Sequence, residues 1–170
     1  MGHAHDDFTP ASIAVLTVSD TRTEETDTSG GYLVDQLKAT GHKLADKKIV
    51  IDDVYKIRAI VSQWIADESV DAILLTGGTG FTARDFTPEA LTPLFDKQVE
   101  GFGELFRAVS YEEIGTSTIQ SRAIGGFANR TVILAMPGST GACRTAWTRI
   151  IKDQLDSRHK PCNFMPHIGK

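Results

Sequence analysis

Cysteine is scarce: Cys143 and Cys162 are the only two in 170 residues. They lack C-x-x-C spacing and are too few for a disulfide framework, which points to a reducing compartment, the cytoplasm. A basic excess is also missing, with 18 Lys+Arg against 22 Asp+Glu and a formal net charge of -4. Nothing here supplies the positive field that a nucleic-acid backbone requires, so DNA and RNA are not expected partners. No apolar run approaches the roughly 18 to 20 residues that cross a bilayer, and the opening MGHAHDDFTP has no apolar h-region. Neither a Sec signal nor a membrane span is expected. Repeats and low-complexity linkers are absent too. What remains is an ordinary globular composition, 41% hydrophobic and 24% charged, at a length that suits one domain.

Residues 1–10 carry His3, His5, Asp6, Asp7 and Pro10 without periodicity and read as a mobile arm. His-x-His could bind a metal, but a tail is the better reading. A single domain then runs over residues 11–160, with 161–170 as an irregular tail. SIAVLTVSD is short, β-branched and apolar, the pattern of a strand buried in a parallel sheet. A polar loop from Asp20 to Thr28 leads to Ser29, the expected N-cap of a helix on Leu33, Val34 and Leu37 that stops at Gly41. A second strand spans roughly Leu44 to Ile51. Ile57, Ile60, Val61, Trp64 and Ile65 then repeat at the spacing of one apolar helix face. AILLT, residues 72–76, is another buried strand and runs into GGTG at 77–80. Strand, helix, strand, helix, strand with short links implies right-handed βαβ crossovers and a three-layer αβα sandwich.

Beyond the glycines, Thr87-Pro88 and Thr92-Pro93 read as N-cap and first-turn pairs of two short helices. Val99 to Ile114, with Phe102, Leu105, Phe106 and Val109 at helical spacing, predicts a longer helix ending near Gly115. Residues 122–136 read as a hairpin turning at Asn129 and Arg130, which makes the sheet mixed. A last helix from Ser139 places Cys143, Ala146, Trp147, Ile150 and Ile151 on one face. Cys143 is therefore expected to be a small buried hydrophobe and not a nucleophile. His42, His159 and His167 have no partners at ligand spacing, so no metal is assigned to them.

In open α/β sheets ligands bind beyond the carboxyl ends of the strands, so chemistry is sought after Val18, Ile51, Thr76 and Met136. LLTGGTG is the strongest of these signals. Consecutive glycines let backbone amides converge without Cβ interference and form a nest suited to a phosphate. A tight strand-to-helix turn is the competing reading, and the motif matches neither a P-loop nor a dinucleotide fingerprint. Asp85 follows five residues after Gly80, and Asp52 follows the neighbouring strand. Carboxylates beside a phosphate need an intervening cation, and Mg²⁺ with one or two carboxylates supplies it. Asp52 and Asp53 could instead cap the helix beginning near Val54.

LLTGGTG, R-D-x-T-P-E at 84–89, V-E-G-F-G-E at 99–104, Ser121-Arg122 and MPGS at 136–139 together resemble the MoaB/Mog family of molybdenum-cofactor biosynthesis proteins. VSDTR, the D-x-S-G before the first helix, CRTAW and KPCNF resemble its bacterial MoaB branch. The resemblance runs from about Ser12 to Cys162. It implies a MogA-like fold that binds molybdopterin, a pterin dithiolene with a terminal phosphate. Active members are adenylyltransferases that move AMP from ATP onto that phosphate. By the same resemblance Gly77, Gly78, Thr79 and Gly80 line the phosphate and nucleotide region, and Asp52 and Asp85 match the catalytic, magnesium-holding acids. Ser121, Arg122, Pro137, Gly138 and Ser139 border the pterin. Family members are trimers, and MoaB-type members pair trimers into hexamers. The aromatic residues Phe102, Phe106 and Tyr111 either serve such an interface or cover the sheet of their own subunit. The chain departs from Mog-type members after Pro-Gly, where those continue with one residue and then Pro-Lys. Here Ser139, Thr140 and Gly141 stand instead, leaving Arg84, Arg122 or Arg144 to provide the cation.

Overall fold

A computed structural model describes residues 5–170. His3 lies outside the described residues. In chain order the strands are β1 (Ser12–Val18), β2 (Lys43–Val50), β3 (Ala72–Thr76), β4 (Lys97–Gln98), β5 (Ile124–Ala128) and β6 (Thr131–Met136). The helices are α1 (Thr28–Ala39), α2 (Val54–Ala66), α3 (Thr87–Leu91), α4 (Glu100–Ile114), α5 (Thr140–Ala146) and the single turn α6 (Lys152–Gln154). One sheet holds all six strands in the order β2-β1-β3-β6-β5-β4. β2, β1, β3 and β6 are parallel, while β5 and β4 extend the sheet antiparallel. The fold is the mixed αβα sandwich that the alternation of elements predicts.

The apolar strands are apolar because both of their faces are covered. Ile13, Val15, Leu74, Val132 and Leu134 point into a core with Leu33, Leu37, Phe106 and Trp147 from α1, α4 and the end of the chain. The alternate residues Ala14, Leu16, Ile73, Leu75 and Ile133 point into a second core with Ile57, Val61 and Trp64 of α2 and Leu91 of α3. Thr17 is level with Thr76, and Thr76 with Met136. The loops after β1, β3 and β6 therefore open at one edge.

Several boundaries differ from the sequence reading for identifiable reasons. Asp27, not Ser29, caps α1, because its carboxylate accepts from Gly30 N and its Oδ2 also takes the Thr17 hydroxyl. Ser29 is thereby released to donate to Gly138 O at 2.7 Å. Phe86 precedes α3, and Thr87 is already helical. A 3-10 turn, Gly115–Gln120, follows α4, and the two-residue β4 was too short to leave a periodic signal. The hairpin turns at Asn129 and Arg130, both at positive φ (47° and 57°), as a two-residue primed turn requires. α5 starts at the expected Ser139 cap and continues through a π turn, Trp147–Ile151.

The described residues at both ends of the chain are hydrogen-bonded to the body of the domain. The His5 and Thr9 amides bond Ser157, and the Ser157 hydroxyl donates to Asp7 O. Arg130 holds the Ile168 and Gly169 carbonyls, and Ile168 is buried. His42 is buried, and its Nδ1 accepts from Ala11 N at 2.9 Å. It is a packing residue, and burial pushes its pKa down.

Candidate functional site

Four backbone carbonyls explain the shape of the GGTG loop. Gly77 O accepts from the Thr87 hydroxyl, Gly78 O from Thr87 N, Thr79 O from Arg122 N, and Gly80 O from the Arg122 guanidinium at 2.8 and 3.0 Å. Gly77 N is also taken, by Met136 O, which ties the ends of β3 and β6. Every carbonyl is thus held from behind. The amides of Gly78, Thr79 and Gly80 have no acceptor among the described residues. Such a row of unpaired donors at the carboxyl edge of a sheet is an anion-binding arrangement.

Glycine is required at two of these positions. Gly77 has φ +105°, and a Cβ there would stand 2.1 Å from Val18 O. Gly78 has φ +71°, and its Cβ would stand 2.3 Å from Thr87 Oγ1 and 2.6 Å from Asp52 Oδ2. Neither the angle nor the space admits a side chain.

The loop forms one wall of a cleft of about 430 Å³, within the range of small-molecule sites. Ser19, Arg22, Asp27 and Ser29 line it from the segment after β1, and Pro137, Gly138 and Ser139 from the segment after β6. Phe106, Ser110, Ile114, Ser117, Gln120 and Ser121 close it from α4 and the turn beyond. The Ser121 hydroxyl is buried without a hydrogen-bond partner, the condition of a group waiting for a ligand.

The two acids named from the sequence flank the loop differently. Asp85 lines the cleft, and its Oδ2 accepts from Thr82 N at 2.8 Å. Asp52 lies beneath the loop, 4% exposed, and Oδ1 accepts from Phe86 N at 3.0 Å. Helix α2 is capped by Asp53, which accepts from the Tyr55 and Lys56 amides, so Asp52 is free of that duty. Burial pushes the Asp52 pKa up to about 6; the Phe86 amide opposes this, and the Asp85 and Asp20 charges add to it. The described residues contain no group of three potential metal ligands. Asp85 faces the cleft as a potential cation ligand, whereas Asp52 does not line it.

Of the other residues named, Gly77 to Gly80, Ser121, Pro137, Gly138 and Ser139 line the cleft. Arg122 does not line it. Its guanidinium is spent on Gly80 O, Asp85 O and Glu89, so it supports the loop from outside. The sequence reading passed over Asp27, which is buried and held by Lys47 at 2.7 Å and by the Thr17 hydroxyl at 2.6 Å. Burial raises its pKa, but Lys47, Thr17 and Gly30 N together bring it below the usual carboxylate value. The clue was present in D-x-S-G, whose Asp caps α1 while its Ser grips the loop after β6. Cys143 is fully buried, its thiol donates to Thr76 Oγ1, and burial pushes its pKa to about 11. A thiolate nucleophile is thereby excluded.

Residues 14–157 match the family described as "probable molybdopterin binding domain". The chain belongs to this family. It is 59% identical over all 170 residues, and over the whole of that protein, to molybdenum cofactor biosynthesis protein B of Escherichia coli K12. A crystal structure of a molybdenum cofactor biosynthesis protein B superposes with TM-score 0.84 at 49% identity, covering 86% of this chain and 92% of that one. The tungsten cofactor synthesizing protein MoaB from Pyrococcus furiosus gives TM-score 0.77 at 36% identity, with the same shares covered. The molybdopterin-binding fold of these relatives is the fold described above, and among the described residues no helix is long and apolar enough to cross a membrane.

Proposed function

We propose that this chain acts in molybdenum cofactor biosynthesis in the cytoplasm, binds molybdopterin in the cleft, and adenylylates its terminal phosphate with Mg-ATP. The observation that carries this reading is the GGTG loop. All four of its carbonyls are restrained from behind while three successive amides remain without acceptors beside Asp85. A phosphate monoester has a second pKa near 6 and is mostly dianionic at neutral pH. It therefore attacks the α-phosphorus of ATP without a protein base. The new bond joins the pterin phosphate oxygen to that phosphorus, the bond to the bridging oxygen breaks, and pyrophosphate leaves. The protein contributes position and charge. The Gly78 to Gly80 amides hold one phosphate, the Ser121 hydroxyl pairs with the ligand, and Asp85 with Asp52 would hold the Mg²⁺, which neutralises charge on the triphosphate.

The direct test is pyrophosphate release on mixing the protein with ATP, Mg²⁺ and molybdopterin. One observation favours a second reading, a pterin-binding protein without turnover: Asp52 is buried below the loop and does not line the cleft. Tight pterin binding with no pyrophosphate release would decide for that alternative.

Assembly as a trimer or hexamer is part of the same reading. Phe102 and Phe106 are 2% and 1% exposed and belong to their own subunit's core, so they are not the interface. Tyr111 and Ile119 are 58% and 71% exposed on α4 and the turn after it and do not line the cleft, which suits them to burial between copies. Light scattering is expected to give a multiple of 18.5 kDa, and Ile119→Glu should shift the mass toward one subunit. A wild-type mass of 18.5 kDa would end this part of the reading.

A further inference from the structure

The cleft that we read as a phosphate site carries acidic side chains, and the three arginines named from the sequence are all committed elsewhere. Arg84 makes two bonds to Asp20, at 3.0 and 3.1 Å. Arg122 is consumed by loop carbonyls and Glu89. Arg144 stacks on the Tyr32 ring at 5.4 Å and does not line the cleft. Asp85 lines it with no basic partner among the described residues, while the other lining acid, Asp27, is matched by Lys47. A dianionic phosphate entering this cleft without Mg²⁺ would meet the charge of Asp85, and a cation on the wall would offset it whether or not the metal is bound.

Arg22 is that cation. It lines the cleft, its Nη1 donates to Thr26 O, and it pairs with no carboxylate among the described residues. Its other guanidinium N–H groups are therefore open to a ligand. The segment that carries it is built to hold it still. Ser19 Oγ accepts from Thr21 N and Arg22 N at 3.2 and 3.0 Å. Thr23 N donates to Thr26 Oγ1 at 2.8 Å, and Asp27 N to Thr23 O at 2.9 Å. The last of these bonds runs into Asp27, the buried cap of α1 anchored by Lys47. A guanidinium anchored through Nη1 keeps its Nε and Nη2 N–H groups free of partners among the described residues, an edge suited to bidentate recognition of a phosphate.

We propose that Arg22 reads the terminal phosphate of the ligand, and so makes the cleft select a phosphorylated pterin over its dephosphorylated form. This rests on the pterin-binding reading above, and the experiment separates the two. Affinities of the wild type, Arg22→Gln and Arg22→Lys are measured for molybdopterin, for dephosphorylated molybdopterin, and for inorganic pyrophosphate at two salt concentrations. Arg22→Gln is expected to weaken the phosphorylated pterin by about ten- to hundredfold and to leave the dephosphorylated form unchanged. Its remaining affinity should be less sensitive to salt, and Arg22→Lys should recover part of the loss. Equal weakening of both pterins would overturn the proposal, since it would show that Arg22 only supports its loop through Thr26. Unchanged affinity for both would overturn it as well. If the wild type binds pyrophosphate but neither pterin, and Arg22→Gln loses the pyrophosphate, the pterin reading fails while the phosphate role of Arg22 stands. A wild type that binds none of the three overturns both.

Discussion

Replacing Asp52 by asparagine should separate activity from stability, reducing AMP transfer at least about a hundredfold, as loss of a group that organises transition-state charge does, while making the ligand-free protein more stable at pH 8. The geometry supports the second half. Asparagine keeps an oxygen where Oδ1 accepts from Phe86 N, and it removes a charge that lies 4% exposed near Asp85 and Asp20. The folded-state pKa of about 6 lies above the ordinary 3.8. Ionised Asp52 therefore opposes folding at pH values above 6, and the penalty fades as pH falls from 6 toward 4. At full ionisation it amounts to at most about 3 kcal/mol. Each kcal/mol moves the midpoint by about 2–4 °C for a chain of this size, so Asp52→Asn should melt several degrees higher at pH 8 and match the wild type near pH 4. Asp85→Asn should lose transfer to the same degree without the stability gain, since Asp85 is only half-buried. Wild-type transfer in both variants would remove the acids from the mechanism. A lower melting point for Asp52→Asn at pH 8 would show that the carboxylate is a structural partner.

Gly77→Ala should be the most destabilising single-methyl change in the cleft. The added carbon would stand 2.1 Å from Val18 O, a backbone atom of the interior strand β1, at a φ of +105°. Moving it means shifting β1 against β3 or breaking the Gly77 N to Met136 O bond, and overpacking and backbone strain together cost several kcal/mol, on the order of 3–5. A fall in melting temperature of roughly 10 °C or more is expected. Gly78→Val acts on the ligand. Its Cβ meets Thr87 Oγ1 and Asp52 Oδ2, so the valine would push out the hydroxyl that restrains Gly77 O and distort the row of amides. Binding of the phosphorylated pterin should be lost. Unchanged affinity in a folded Gly78→Val protein would show that the loop is only a turn.

Much of this was legible in the sequence because it depends on local pattern. β3 announces itself as AILLT because all five residues are buried. α2 reads clearly because Ile57, Val61 and Trp64 meet the sheet on one stripe. What stayed hidden depends on partners distant in the chain. Asp27 and Ser29 are both acceptable caps by propensity, and only the position of Gly138, brought alongside by the sheet, assigns the serine to another task. Asp52 and Asp53 are adjacent acids after a strand, and the direction each carboxylate takes separates the helix cap from the buried acid. Arg22 lay in a polar loop with no periodicity. Its significance arises only once Arg84, Arg122 and Arg144 are seen to be occupied, a matter of three-dimensional exclusion that spacing cannot express. β4 exists because it pairs with β5, and two residues have no signature of their own.

Ser157 with His5 and Thr9, and Arg130 with Ile168 and Gly169, fasten the two end segments near the starts of β1 and β6, whereas the cleft opens where those strands finish. The body of the sheet stands between them. A reporter dye or a surface tether attached at Lys170 would therefore sit a strand's length away from the ligand, and immobilised protein should present its cleft outward, with every captured molecule equally open to solution.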